Sequence, residues 1–315
     1  VSVRWIRVLS LATLVATYCL IVLGSTVRVT NSGMGCPGWP LCSGRIGPIS
    51  QFHPLMEQSH RYLTSLVTVL ILALAALAWR AGPKARYVRG PALVSVGVIA
   101  VQVVLGAITV ITNNAPVTVA LHLAVGLLFL GIVTVTAVAS FIRPEQSWSL
   151  LHQPDRLAWV AVAGLFFVLI SGSLVVDGGA QSACKSWPAC FGSRASGGLV
   201  VLQLAHRSMV LIGVTLVVIY LVTLLRKGTV LHTQRLLALS GLVLLAVQII
   251  VGAFDALLGA PAALADVHLA LASALWAVVV AVGALSARGT RDRTAPVGFR
   301  DVERMDLSTG GREDC

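Results

Sequence analysis

Eight apolar runs account for most of this 315-residue chain, at about residues 8–26, 57–79, 92–112, 118–142, 157–176, 200–225, 236–258 and 265–287. Each is close to the roughly 20 residues a helix needs to cross about 30 Å of hydrocarbon. None alternates with period 2. Because backbone groups in lipid must be satisfied within their own segment, these runs are expected to be helices and not barrel strands. The first run follows Arg4 and Arg7, but it is longer than a signal-peptide core and lacks a small-residue cleavage site. It is read as a membrane helix. Only 11% of residues are charged and 57% are hydrophobic, with a mean hydropathy of +0.90, whereas soluble domains carry about 25% charged residues. An ordinary soluble enzyme, a disordered chain and a disulfide-stapled mini-protein are excluded together. The net charge of +11 is read as membrane orientation, with no nucleic-acid partner.

Positive charge is distributed unevenly across the expected loops. One side collects Arg4, Arg7, Arg80, Lys84, Arg86, Arg89, Arg143, Arg156, Arg226, Lys227, Arg235 and the arginines beyond residue 287. The other has Arg28, Arg45, Lys185 and Arg194, with Arg61 and Arg207 just inside helix starts. Cytoplasmic loops attract Lys and Arg, so both termini are expected in the cytoplasm of a multi-pass plasma-membrane protein. Residues 27–56 and 177–199 are then the long outer loops. Both carry C-x-x-W-P-x-C: Cys36, Trp39, Pro40 and Cys42, then Cys184, Trp187, Pro188 and Cys190. The outer side is oxidising, and the short spacing predicts Cys36–Cys42 and Cys184–Cys190 disulfides. A redox-active dithiol is the alternative, and zinc would more usually show closer spacing. Cys19 and Cys315 are expected to be free thiols.

The duplicated loop belongs to a longer repeat. Gly24-Ser25 recurs as Gly172-Ser173, and Cys36 and Trp39 as Cys184 and Trp187, at an offset of 148 residues. Beyond the loop the offset is 146. His60-Arg61 becomes His206-Arg207, QVVLGA from Gln102 becomes QIIVGA from Gln248, and His122 becomes His268. With four spans per unit, both halves point the same way. The expected fold is an all-α integral membrane protein of eight helices, arranged as two tandem four-helix bundles about a pseudo-twofold along the membrane normal. The expected parts are an N-terminal half (1–142), a cytoplasmic linker (143–156, with Pro144 and Pro154), a C-terminal half (157–287) and a flexible cytoplasmic tail (288–315).

Histidine inside a span is costly and usually functional. His53, His152 and His232 fall in or beside loops and read as solvated. His60, His122, His206 and His268 lie three to five residues inside the expected helices that start at the outer face, at matched depth, one pair per half. Two imidazoles facing each other across a four-helix bundle suit the axial positions of a haem iron. Four polar side chains bonded between helices are the structural alternative. Arg61 and Arg207 are placed to meet haem propionates or to snorkel to lipid headgroups. Glu57 is the only acidic residue among the first 144, and it shares a helix face with His60. It reads either as a catalytic carboxylate or as a helix-end charge favoured by the dipole.

The segment GSTVRVTNSGMGCPGWPLC, then EQSHR, then His122 after GAITV, all in duplicate, resembles the haem A synthase family of the bacterial paired-cysteine type. The resemblance covers residue 1 to about 287. It implies an oxidoreductase that converts the C8 methyl group of haem O to a formyl group, giving haem A for terminal oxidases, with oxygen derived from water by way of an alcohol. By motif, Glu57 would be catalytic and His60 and His122, with Arg61, would bind the substrate haem. His206 and His268, with Arg207, would hold a haem b cofactor. The second half carries Gln203 in place of Glu57, which implies a division of labour between the halves. Implied partners are the lipid bilayer, the haem O synthase (protohaem farnesyltransferase) and terminal oxidase assembly; a homo-oligomer is compatible with the sequence. The main alternative is a bis-His di-haem electron-transfer cytochrome with two equivalent sites. A transporter would need polar or broken helices at the midplane.

Overall fold

A computed structural model describes residues 2–36, 38, 41–42, 44, 50–144, 148, 155–227 and 230–287. The expectations for Trp39, Pro40, Arg45, His152, Pro154, Cys315, most of the linker and the 288–315 tail lie outside the described residues. The regular structure of the described residues is helical, with no β-strand. The helices are α1 (Val3–Val29), α2 (Phe52–Ala81), α3 (Arg86–Ile111), α4 (Pro116–Ser140), α5 (Arg156–Asp177), α6 (Gly197–Arg226), α7 (His232–Leu257) and α8 (Ala262–Ser286).

Seven helical runs among the described residues are long and apolar enough to cross a membrane, and one of them extends over the 60 residues Phe52–Ile111. A straight helix of that length would span about 90 Å, some three times the hydrocarbon thickness. Gly82 interrupts it. Its φ of +54° is a value side-chain-bearing residues rarely adopt, and it begins a short 3-10 turn, Gly82–Ala85. Beyond the turn α3 packs back against α2.

The ends of α1, α3, α5 and α7 share one geometry. Each is followed by a left-handed residue: Asn31, Asn113, Gly179 and Gly259. The next N–H then reaches five residues back, from Ser32 to the Val27 carbonyl (2.8 Å), Asn114 to Thr109 (2.8 Å), Ala180 to Val175 (2.8 Å) and Ala260 to Asp255 (2.7 Å). This is the Schellman closure, in which Gly and Asn tolerate the left-handed position. The repeat seen in the sequence therefore recurs in the backbone, even where the residues differ.

Packing puts α4 and α8 at the centre. In their apolar windows 67% and 61% of residues are buried, against 11% for the 52–111 run, which faces outward. Around them α1 packs on α2 and α4, α2 on α3, and α3 on α4; α5 packs on α6 and α8, α6 on α7, and α7 on α8. The two sets meet through α1–α8, α4–α5 and α4–α8. At α4–α8 the Trp276 indole N–H donates to the Leu127 carbonyl at 2.9 Å, and Gly131 leaves room for the ring, which would lie 3.4 Å from a Cβ there. Near the C-terminal end of α1, the Thr26 hydroxyl donates to Asp266 Oδ2 (2.8 Å) and Arg28 pairs with Asp177 (2.6 Å). Arg28, expected in an outer loop, lies instead in the last turn of α1, because the helix runs past its apolar stretch and finds a carboxylate on α5.

Candidate functional site

Two disulfides, Cys36–Cys42 and Cys184–Cys190, close the paired loops with Cα–Cα separations of 4.7 and 5.1 Å. Each loop is fastened to the first turns of the following helix. In the first, Glu57 is only 4% exposed. Its Oε2 accepts the Cys36 N–H at 2.8 Å and its Oε1 accepts from Arg61 Nη2 at 2.5 Å. Arg61 also donates to the carbonyls of Gly38 (2.9 Å) and Cys36 (3.5 Å). In the second loop Arg207 donates to the carbonyls of Cys184, Ser186, Pro188 and Ala189 at 2.8–3.2 Å. Gln203 Nε2 donates to Ala180 (2.9 Å) and Gln181 (3.1 Å). The exchange of Glu57 for Gln203 therefore matches a change in what the loop presents, an N–H in the first half and carbonyls in the second. Both arginines act as loop clamps.

Beneath the loops lie the four histidines. The sequence places them three to five residues inside their helices, but α2 and α6 begin earlier than their apolar runs, so His60 and His206 are eight and nine residues past Phe52 and Gly197. His122 and His268 are each six residues past Pro116 and Ala262. At about 1.5 Å per residue this depth is roughly 9–14 Å from the helix starts. The pairs stay matched between halves.

Every one of these rings fits into a notch made by a glycine on the preceding helix. A Cβ added at Gly24 would lie 2.9 Å from His60 Cε1, and at Gly106 it would lie 3.2 Å from His122 Cε1. In the second half the distances are 3.2 Å from Gly172 to His206 and 2.6 Å from Gly252 to His268. Alanine at any of the four would crowd or push its ring. Gln102 Nε2 donates to the His122 carbonyl (2.9 Å) and lies 3.2 Å from His122 Nε2, while Gln248 Nε2 lies 3.2 Å from His268 Nδ1. Within each half the two rings are close enough for a direct electrostatic interaction. His60 Nδ1 and His122 Nδ1 are buried without a hydrogen-bond partner.

Such a donor set fits a haem. A haem iron takes two imidazole nitrogens from facing helices; here the rings are paired and held by small-residue notches, and the first pair carries Nδ1 atoms that protein groups leave unsatisfied. The cytochrome oxidase assembly protein family COX15-CtaA matches residues 7–280. The chain belongs to this family. It is 27% identical over 316 residues to the heme A synthase of Geobacillus thermodenitrificans, covering 96% of each chain. It is 28% identical to that of Geobacillus kaustophilus, covering 95% of each, and 26% identical to that of a Staphylococcus epidermidis strain, covering 93% of this chain and 98% of the relative.

Sequence reading missed several groups around this family member's histidines. The glycine notches and the Gln102/Gln248 pair lie inside the repeated segments GS and Q-x-x-x-G-A, so the duplication itself carried their signal. Ser171, Asp177 and Asp266 break the repeat: their counterparts are Leu23, Val29 and Ala120. No periodic pattern could have picked them out.

Proposed function

We propose that this chain is a haem A synthase that oxidises the C8 methyl group of haem O to a formyl group. The observation that carries the reading is the fourfold Gly–His notch, present twice in each half, in a chain of this family whose relatives across nearly its full length are heme A synthases.

The proposed architecture is eight membrane crossings in two four-helix halves, 1–142 and 157–287. The return of α3 onto α2 supports eight crossings. The packing supports the pseudo-twofold, since exchanging the halves maps α1–α8 onto α5–α4 and α4–α8 onto itself. Two disulfides in the paired loops support placing these outside, where disulfides persist, with both termini cytoplasmic.

In the first half His60 and His122 are proposed to hold the substrate haem, and in the second His206 and His268 a haem b cofactor. A bound haem supplies the iron-centred electron transfer, and oxygen is proposed to come from water. The chain's own contribution is positional. The glycine notches set the four rings, and Arg61 and Arg207 tie the disulfide loops to the helices that carry His60 and His206. Glu57, one turn from His60, places a carboxylate beside the substrate site. Its two oxygens each accept one hydrogen bond, leaving about half of a carboxylate's acceptor positions for stabilising positive charge or accepting a proton at the reacting carbon. Haem propionates are proposed as additional partners of Arg61 and Arg207. Two equivalent sites, as in a di-haem electron-transfer cytochrome, are disfavoured by the Glu57/Gln203 and Leu23/Ser171 differences.

The test is expression with a haem O synthase in cells that make no haem A. Haem A in the extracted pigment supports the reading; unchanged haem O alongside abundant, folded protein refutes it.

A further inference from the structure

The two histidine pairs differ at one ring atom. His206 Nδ1 lies 2.8 Å from Ser171 Oγ, and Ser171 is itself buried. A serine hydroxyl has one proton to give, and here it goes to the Val168 carbonyl at 2.8 Å, one turn back on α5. With that proton on Val168 the oxygen facing His206 is an acceptor, which pairs with the ring tautomer that carries Nδ1–H and keeps the lone pair on Nε2. The Gln248 amide lies 3.2 Å from His268 Nδ1 and 3.3 Å from its Nε2, and the Gln102 amide lies 3.2 Å from His122 Nε2, so these two donors do not set the halves apart. In the first half the Nδ1 atoms of His60 and His122 have no side-chain partner, and the His60 ring meets the Leu20 backbone instead. The residue corresponding to Ser171 is Leu23, whose side chain has no hydrogen-bonding atom.

We propose that Ser171 is a positioning residue that fixes His206 as an Nε2 ligand, and that it makes the second-half site a retaining one while Leu23 leaves the first-half site releasing. This rests on the proposed assignment of the histidine pairs to haem. An Nδ1–H bonded to an acceptor fixes the orientation of an imidazole and makes it a stronger donor to the metal, and losing such a partner typically costs 10–100-fold in affinity. A cofactor site benefits from that hold. A site that must take in haem O and let haem A go does not.

The test uses the full-length chain in lipid nanodiscs, with haem release timed by transfer to apomyoglobin and the haem midpoint potential measured by redox titration. Ser171→Ala should release the second-half haem about 10-fold faster and raise its potential, since the weaker donor stabilises ferric iron less. Ser171→Thr keeps the oxygen and should stay within about 2-fold of the parent. Leu23→Ser should slow release from the first half, which gives an independent arm should Ser171→Ala fold poorly. Unchanged release and potential in Ser171→Ala, or unchanged first-half release in Leu23→Ser, would overturn the proposal. His206→Ala separates the two layers: if it keeps its low-spin haem, the assignment of the pair is wrong, whereas loss of haem there with an unaltered Ser171→Ala rejects only the role of Ser171.

Discussion

Glu57 and Arg61, one turn apart on α2, hold Cys36 from both sides: the carboxylate takes its N–H and the guanidinium takes its carbonyl. The disulfide loop is thereby tied to the same helix face that carries His60. Replacing the carboxylate by an amide leaves Arg61 facing a group that cannot pair with it as an ion. Glu57→Gln is expected to keep its haems, to lose about 1–3 kcal/mol of stability from the weakened charged hydrogen bonds, and to make little haem A. Pigment analysis together with thermal unfolding in detergent checks this, and wild-type haem A formation would reduce Glu57 to a loop anchor.

The glycine notches predict a graded series. Gly252→Ala brings a Cβ to 2.6 Å from His268, while Gly106→Ala brings one to 3.2 Å from His122. The first contact forces the ring to move and the second requires a few tenths of an ångström. Gly252→Ala is therefore expected to lose most of the second-half haem, and Gly106→Ala to retain most of its haem binding. Haem content by pyridine haemochrome reads both, and equal losses would contradict the notch geometry.

Arg28 and Asp177 bridge the C-terminal ends of α1 and α5, and Arg28 also donates to the Ser173 carbonyl at 2.9 Å. Leaving one partner of a buried pair uncompensated typically costs 3–5 kcal/mol. Arg28 keeps some solvent contact, so Asp177→Asn is expected to cost about 2–3 kcal/mol. A double-mutant cycle with Arg28→Met, read by thermal unfolding in detergent, should give a coupling energy well above zero; strict additivity would mean that the pair does not join the halves.

The disulfides predict a labelling pattern. Thiol reagents that cannot cross the membrane should reach Cys36, Cys42, Cys184 and Cys190 in intact cells only after reduction. Labelling that instead required permeabilisation would invert the orientation. Reducing both bonds should cost about 2 kcal/mol for each short loop.

How much of this was readable in the residues depended on duplication. The four histidines stood out because two independent halves carry each at the same place, and His60/His206 and His122/His268 keep matched depths in the folded chain. Their exact depth was not readable. The first turns of α2 and α6 mix polar and apolar residues such as Gln58, Ser59 and Gln203, and apolar-run boundaries miss a helix that continues into the interfacial layer. Arg28 was misplaced for the same reason. Ser171, Asp177 and Asp266 were invisible because they act through three-dimensional neighbours on other helices and have no repeat partner. Glu57 was noticed for its rarity, but its bonds to Cys36 and Arg61 depend on how the loop folds back over α2, which no spacing rule supplies.

The most direct test gives the purified chain, in lipid nanodiscs and carrying its second-half haem, defined haem O and an artificial electron acceptor. The extracted haem is then analysed by mass spectrometry in water enriched in heavy oxygen. The account predicts a new haem in which a methyl group has become a formyl group, with labelled oxygen before exchange, and none of it from the His60→Ala/His122→Ala double variant. Haem O recovered unchanged from folded, haem-loaded protein, or product formed equally by that double variant, would contradict it.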